Sequence, residues 1–111
     1  MMSTADVAEL RHVCTGALLR EEGGVPYVEL PQLVLPDFCS PNVVDALFSP
    51  RTAHGYPSRL FFSQQIQSRA ALNWNTSVRI LGRSWFAFSW KINRPPASVL
   101  GLLHMHIGAF K

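Results

Sequence analysis

Apolar residues at Val7, Leu10 and Val13/Cys14 recur at helical spacing, which places them on one side of a predicted helix over Thr4 to Val13. Ser3 is its candidate N-cap, with Asp6 three residues on as an imperfect capping box, and Gly16 is the candidate stop. From Ala17 the helical period is lost. Ala17 to Glu22 is predicted as a strand entering the turn Glu21-Glu22-Gly23-Gly24, and Val25 to Leu35 as the strand that returns from it. Pro26, Pro31 and Pro36 have no N–H to give a ladder, so this second strand is expected at an edge or with a bulge near Pro31. Beyond the Pro41-Asn42 turn signal, Val43 to Ser49 reads as a third strand. Pro50 to Pro57 is a polar turn, and Arg59 to Gln65, alternating and aromatic, is a fourth strand.

After Ile66 the pattern loosens into a loop through Trp74. Val78 to Leu81 and Trp85 to Trp90 are then dense in apolar residues without a clean period. Asn93-Arg94-Pro95-Pro96 breaks the chain. Val99, Leu102, Leu103, His106 and Phe110 follow at i, i+3, i+4, i+7 and i+11, so a closing helix is expected from Ser98 to Phe110. Strands in sequence flanked by helices predict an α+β fold with an antiparallel sheet.

A chain of 111 residues fits one domain over 1–111. The composition is 48% hydrophobic and 15% charged, against about 25% charged in typical domains. That excludes a disordered tail or a coiled coil, and leaves apolar surface for a stable partner or a homodimer. Apolar runs such as Val99 to Leu103 are too short to span a membrane, and Asp6 and Glu9 interrupt any leader, so a cytoplasmic protein is expected. Two cysteines, Cys14 and Cys39, and four scattered histidines give no structural zinc spacing, and neither a metal nor a cofactor is expected.

Charge divides the chain more sharply than composition does. Residues 1–50 hold all seven acids and two arginines, a net −5, whereas residues 51–111 hold eight cations and no acid, a net +8. Either the halves neutralise each other across the fold, or a basic surface meets something acidic.

Several segments resemble a known family. Gly55-Tyr56-Pro57, leading into an apolar strand, is similar to the tyrosine–proline entry to the third and fourth strands of ubiquitin-conjugating (E2) domains. Asn73-Trp74-Asn75 and the run from Leu81-Gly82-Arg83-Ser84-Trp85 to Phe88-Ser89-Trp90-Lys91 resemble a second block, typical of prokaryotic E2 family E. Arg94-Pro95-Pro96 resembles the proline that precedes the post-catalytic helix. The blocks span about residues 43–105; Lys91 stands where the family has histidine, and Asn93 where it has tryptophan.

The resemblance implies a minimal E2-like fold: an N-terminal helix, a four-stranded antiparallel meander, an irregular active-site segment from Asn73 to Lys91 and a C-terminal helix. It implies a carrier in a bacterial conjugation pathway of the anti-phage defence kind. The carrier would take a ubiquitin-like protein from an E1-like enzyme as an ester and pass it to a target amine. The family's nucleophile is a cysteine, but Cys14 falls on the first helix and Cys39 in a turn before the third strand. The resemblance points instead to serines, its E2 spacing to Ser84 and its block to Ser89, with Lys91 or His54 as base and Asn75 (or Asn73) as oxyanion donor.

Two other classes stay open. One is a catalytically inactive E2 variant acting as a scaffold for the same partners. The other is a small basic module for single-stranded nucleic acid, using its cations and three tryptophans. For the serines the plainest account is that they are small residues between large packed rings.

Overall fold

The computed structural model describes residues 4–50, 56–92, 94 and 96–110. Helix α1 (Thr4–Leu10) leads into strands β1 (Leu18–Glu22), β2 (Val25–Val34), β3 (Val43–Ser49) and β4 (Arg59–Phe62). After β5 (Thr76–Ile80) and β6 (Arg83–Ala87), helix α2 (Val99–Ile107) ends the fold. The six strands form one antiparallel sheet in the order β1-β2-β3-β4-β6-β5.

Two tight hairpins set its register. Glu22 pairs with Val25 across Gly23-Gly24, and Ile80 with Arg83 across Leu81-Gly82. All four turn residues have positive φ, between 54° and 79°, as a type I′ turn requires, and its twist matches that of the strands it joins. The bulge expected near Pro31 is present. The β2–β3 register shifts between Leu30 and Leu33, and Gln32 sits at φ 55°, its N–H donating to Asp45 Oδ1 at 2.9 Å. β2 is nevertheless an interior strand.

Both faces of the sheet are buried. On one face Leu30, Phe48, Phe62 and Phe88 pack beneath α1 (Val7, Leu10) and α2 (Leu102, Leu103). On the other, Tyr27, Leu47 and Phe61 meet Ile80, Trp85 and Ala87 of the β5–β6 hairpin. The two sets alternate residue by residue along β3 and β4, as strand geometry demands. The hairpin curls far enough for the Leu81 N–H to reach Glu22 Oε1 at 3.1 Å, so the sheet is a half-barrel. A single register pair, Phe62 with Phe86, joins β4 to β6.

This architecture overturns the expected E2-like α+β fold. Among the described residues the protein is mostly sheet, with two short helices and six strands rather than a four-stranded meander. Much of the segment expected to be irregular, Asn73 to Lys91, is the β5–β6 hairpin, because its apolar residues fill the second face of the sheet. α1 is 7 residues long and stops at Leu10, where bonds from His12 to Glu9 O and from Val13 to Leu10 O tighten the chain. α2 has its cap at Ser98, whose side chain accepts from the Gly101 N–H at 2.9 Å. Among the described residues no helix is long and apolar enough to cross a membrane. The expectations at Ser3, His54, Gly55, Asn93 and Pro95 fall outside the described residues.

Candidate functional site

Alternation along β4 sends its neighbouring polar residues to opposite faces. Ser58, just before the strand, lies on the helix side, where its Oγ is 2.8 Å from Nε2 of the buried His106 on α2. Burial first, and the Arg59 charge second, push the His106 pKa down to about 4. The Phe48 ring meets the imidazole edge-on at 5.9 Å.

Arg59, the next residue, is only 4% exposed. One of its terminal nitrogens donates to Asn75 Oδ1 at 2.8 Å and to the Phe88 carbonyl at 3.4 Å, while its Nε has no partner. The Tyr56 ring lies over the guanidinium, 3.9 Å from Cζ, in cation–π contact. Among the described residues no carboxylate touches Arg59, whose charge acts on Tyr56. A buried cation with no counter-charge is costly to hold.

Around it Tyr56, Asn75, Thr76, Ser89 and Lys91 meet at the surface. Tyr56 Oη is 3.1 Å from Ser89 Oγ and accepts from Asn75 Nδ2 at 3.3 Å, while Thr76 Oγ1 donates to Asn75 Oδ1 at 3.0 Å. Lys91 Nζ stands 6.0 Å from the Tyr56 ring centroid. Asn75 precedes β5, and Ser89 and Lys91 follow β6. A bond from the Ser89 N–H to the Asn73 carbonyl at 2.8 Å holds these two segments together past the strand ends. The hydrogen bonds from Ser89 and Asn75, then the Arg59 and Lys91 charges, hold the Tyr56 phenol below its ordinary pKa. Tyr27 moves the other way, raised by burial and by Glu22.

The structure thus brings together Ser89 and Asn75, with Lys91 beside them. Ser84 is not part of the group; it lies on β6 opposite Arg79 of β5, exposed. Asn73 contributes its backbone carbonyl. Cys39 is buried, as is Cys14, and burial raises both thiol pKa values, which removes the thiolate a nucleophile needs. Cys14 follows α1 and its Sγ faces the Pro31 carbonyl at 3.2 Å.

Sequence reasoning missed the two residues that organise the site. Tyr56 entered only as part of a turn and of the tyrosine–proline resemblance, and Arg59 only as the start of a strand. The available signal was alternation: Arg59 shares a strand face with Phe61, so a cation was due on a buried face.

This arrangement can hold an anion: two cations without a carboxylate, two hydroxyls and an amide. Elsewhere, a cavity of about 100 Å³ between Glu29, Asp45, Leu81, Arg83 and Trp85 is flanked by a satisfied ion pair, Arg83 to Asp45 at 3.0 Å. No cluster of three or more His, Cys, Asp or Glu suited to a metal occurs among the described residues. Compared with known families, curated proteins and solved structures, the chain matches none.

Proposed function

We propose that the protein is a small binding module for single-stranded nucleic acid, gripping its phosphates on one flank of the sheet. The observation that carries this is how the fold sorts charge. The switch from acidic to basic sequence falls between β3 and β4. The strand order keeps β1, β2 and β3 together on one side and β4, β6 and β5 on the other. The acidic and basic halves of the chain become two flanks that meet where the hairpin curls back, at the Arg83–Asp45 ion pair, while Arg59 and Lys91 on the basic side form no ion pair among the described residues. Trp74 and Trp90 neighbour the site residues in sequence, but both are half-buried with their side chains packed against the main core, so phosphate contacts rather than base stacking carry the reading.

A labelled single-stranded oligonucleotide titrated over a range of salt tests this. Log affinity should fall linearly with log salt, by about 0.7 per phosphate neutralised. Lys91→Ala should flatten that slope by roughly one contact, while Arg20→Ala, on the acidic flank, leaves it unchanged. No binding, or binding indifferent to salt, overturns the proposal.

A second reading keeps the carrier role without the E2 fold, with an E1-like enzyme and a ubiquitin-like protein as partners. One observation favours it: the Ser89 hydroxyl lies against the Tyr56 phenol, with the Asn75 amide alongside. Once deprotonated, the Tyr56 phenol would serve as base for a serine nucleophile, and the amide as oxyanion donor. Intact mass after incubation with the E1-like enzyme, ubiquitin-like protein and ATP should then show an adduct. Hydroxylamine should remove it and Ser89→Ala should prevent it; its absence with an active E1 removes this reading.

A further inference from the structure

We propose that Tyr56, Asn75, Ser89 and Lys91, floored by Arg59, form a receptor for one phosphate monoester, the terminal phosphate of a nucleic-acid strand. The ligand's identity rests on the nucleic-acid reading above; the receptor itself does not. Three observations carry it.

The first is charge. Arg59 and Lys91 supply two positive charges, and nothing acidic offsets them within the second half of the chain. Residues 51–55, 93 and 95, which flank the site in sequence, hold no Asp or Glu either. A phosphodiester bears one negative charge, whereas a monoester is close to a dianion at neutral pH, so the monoester matches the site. The second is donor number. The Tyr56 hydroxyl donates to Ser89 Oγ and one Asn75 N–H is spent on Tyr56, which leaves the Ser89 hydroxyl proton, the second Asn75 N–H and the Lys91 ammonium as three donor groups beside the Tyr56 ring. A monoester presents three terminal oxygens to such a set and a diester only two.

The third is the floor. Arg59 is buried, shielded by the Tyr56 ring, and its Nε is unpartnered. It therefore acts on the ligand through its field, which is strong because the guanidinium is out of water. A dianion held by the cluster beside the ring offsets a buried charge that the fold otherwise leaves unpaired.

Tyr56 is itself the reporter. The chain has two tyrosines, and Tyr27 titrates higher, so the tyrosinate absorbance should rise in two steps through the alkaline range. Inorganic phosphate, a dianion there, should move the first step up by about one pH unit at constant ionic strength. Tyr56→Phe should delete that step. Ser89→Ala and Lys91→Ala, both at exposed positions, should shrink the shift, and Arg20→Ala should keep it. No shift, or the same shift with chloride, overturns the receptor.

An oligonucleotide with a 5′-phosphate or a 3′-phosphate is then compared with its hydroxyl-ended form. About tenfold tighter binding of one phosphorylated end, lost in Ser89→Ala, is the expected result. Equal affinities for all three overturn the terminal-phosphate assignment and leave general nucleic-acid binding intact. A phosphate shift without binding of any oligonucleotide overturns the nucleic-acid reading, and with it the strand end as ligand.

Discussion

Replacing Phe62 by alanine is expected to cost about 3–5 kcal/mol of folding free energy, the usual range for a fully buried phenylalanine. Phe62 is completely buried, and its ring meets Phe88 at 6.1 Å, Trp74 at 5.9 Å and Phe110 at 5.5 Å. Those partners come from the end of β6, the segment before β5 and the segment after α2. The ring therefore ties three parts of the chain to β4, and its backbone supplies the register pair with Phe86. Against a total of about 5–15 kcal/mol, the loss takes a large share of the stability. Urea denaturation measures it directly, and a cost below about 1.5 kcal/mol would show that this aromatic group is not the centre of the core.

Acid should weaken the fold through His106. The side chain is 1% exposed and its pKa falls from 6.5 to about 4 in the folded protein. The unfolded chain therefore binds more protons than the folded one between those values, so stability falls as pH falls through that window. The contribution is complete above the unfolded pKa and lost progressively down to the folded one. A shift of that size amounts to about 3 kcal/mol. His106→Gln, which keeps a polar group for Ser58, should be less stable at neutral pH yet lose less on acidification. Denaturation midpoints measured across the window for both proteins decide it, and parallel curves would remove His106 as the cause. Asp45, whose carboxyl is held below its ordinary pKa by the Gln32 N–H, adds its own loss in more acidic solution.

Much of the local structure was legible because alternation and turn chemistry act over short distances. Gly23-Gly24 marks its hairpin, Val43 to Ser49 is a strand as expected, and the prolines of β2 announce the bulge at Gln32. The β5–β6 hairpin was not legible. Trp85 and Ala87 bury on one face while Phe88 and Trp90 pack on the other, so the strand and its continuation carry no polar alternation to betray the period. Leu81-Gly82 was the missed signal: a glycine at the second turn position between two apolar runs permits a type I′ turn. Sheet order was beyond local reasoning altogether, since β6 pairing back to β4 is decided by which faces need cover. The candidate site shows the same division. Ser89, Asn75 and Lys91 were visible as residue types, but their meeting depends on β4 and the hairpin lying side by side. Arg59, which unites them, has meaning only once burial is known.

The narrow joint between β4 and β6 bears on how the molecule opens. With one register pair there, side-chain packing rather than the ladder holds the hairpin to β4, and the hairpin is expected to open as a unit before the rest of the sheet. The site straddles this joint, with Tyr56 and Arg59 on the β4 side and Asn75, Ser89 and Lys91 on the hairpin side. Detachment destroys the site, so occupancy and closure are thermodynamically linked. A ligand held by both sides would act as a removable crosslink, and amide hydrogens across Thr76–Ala87 should exchange more slowly as it fills.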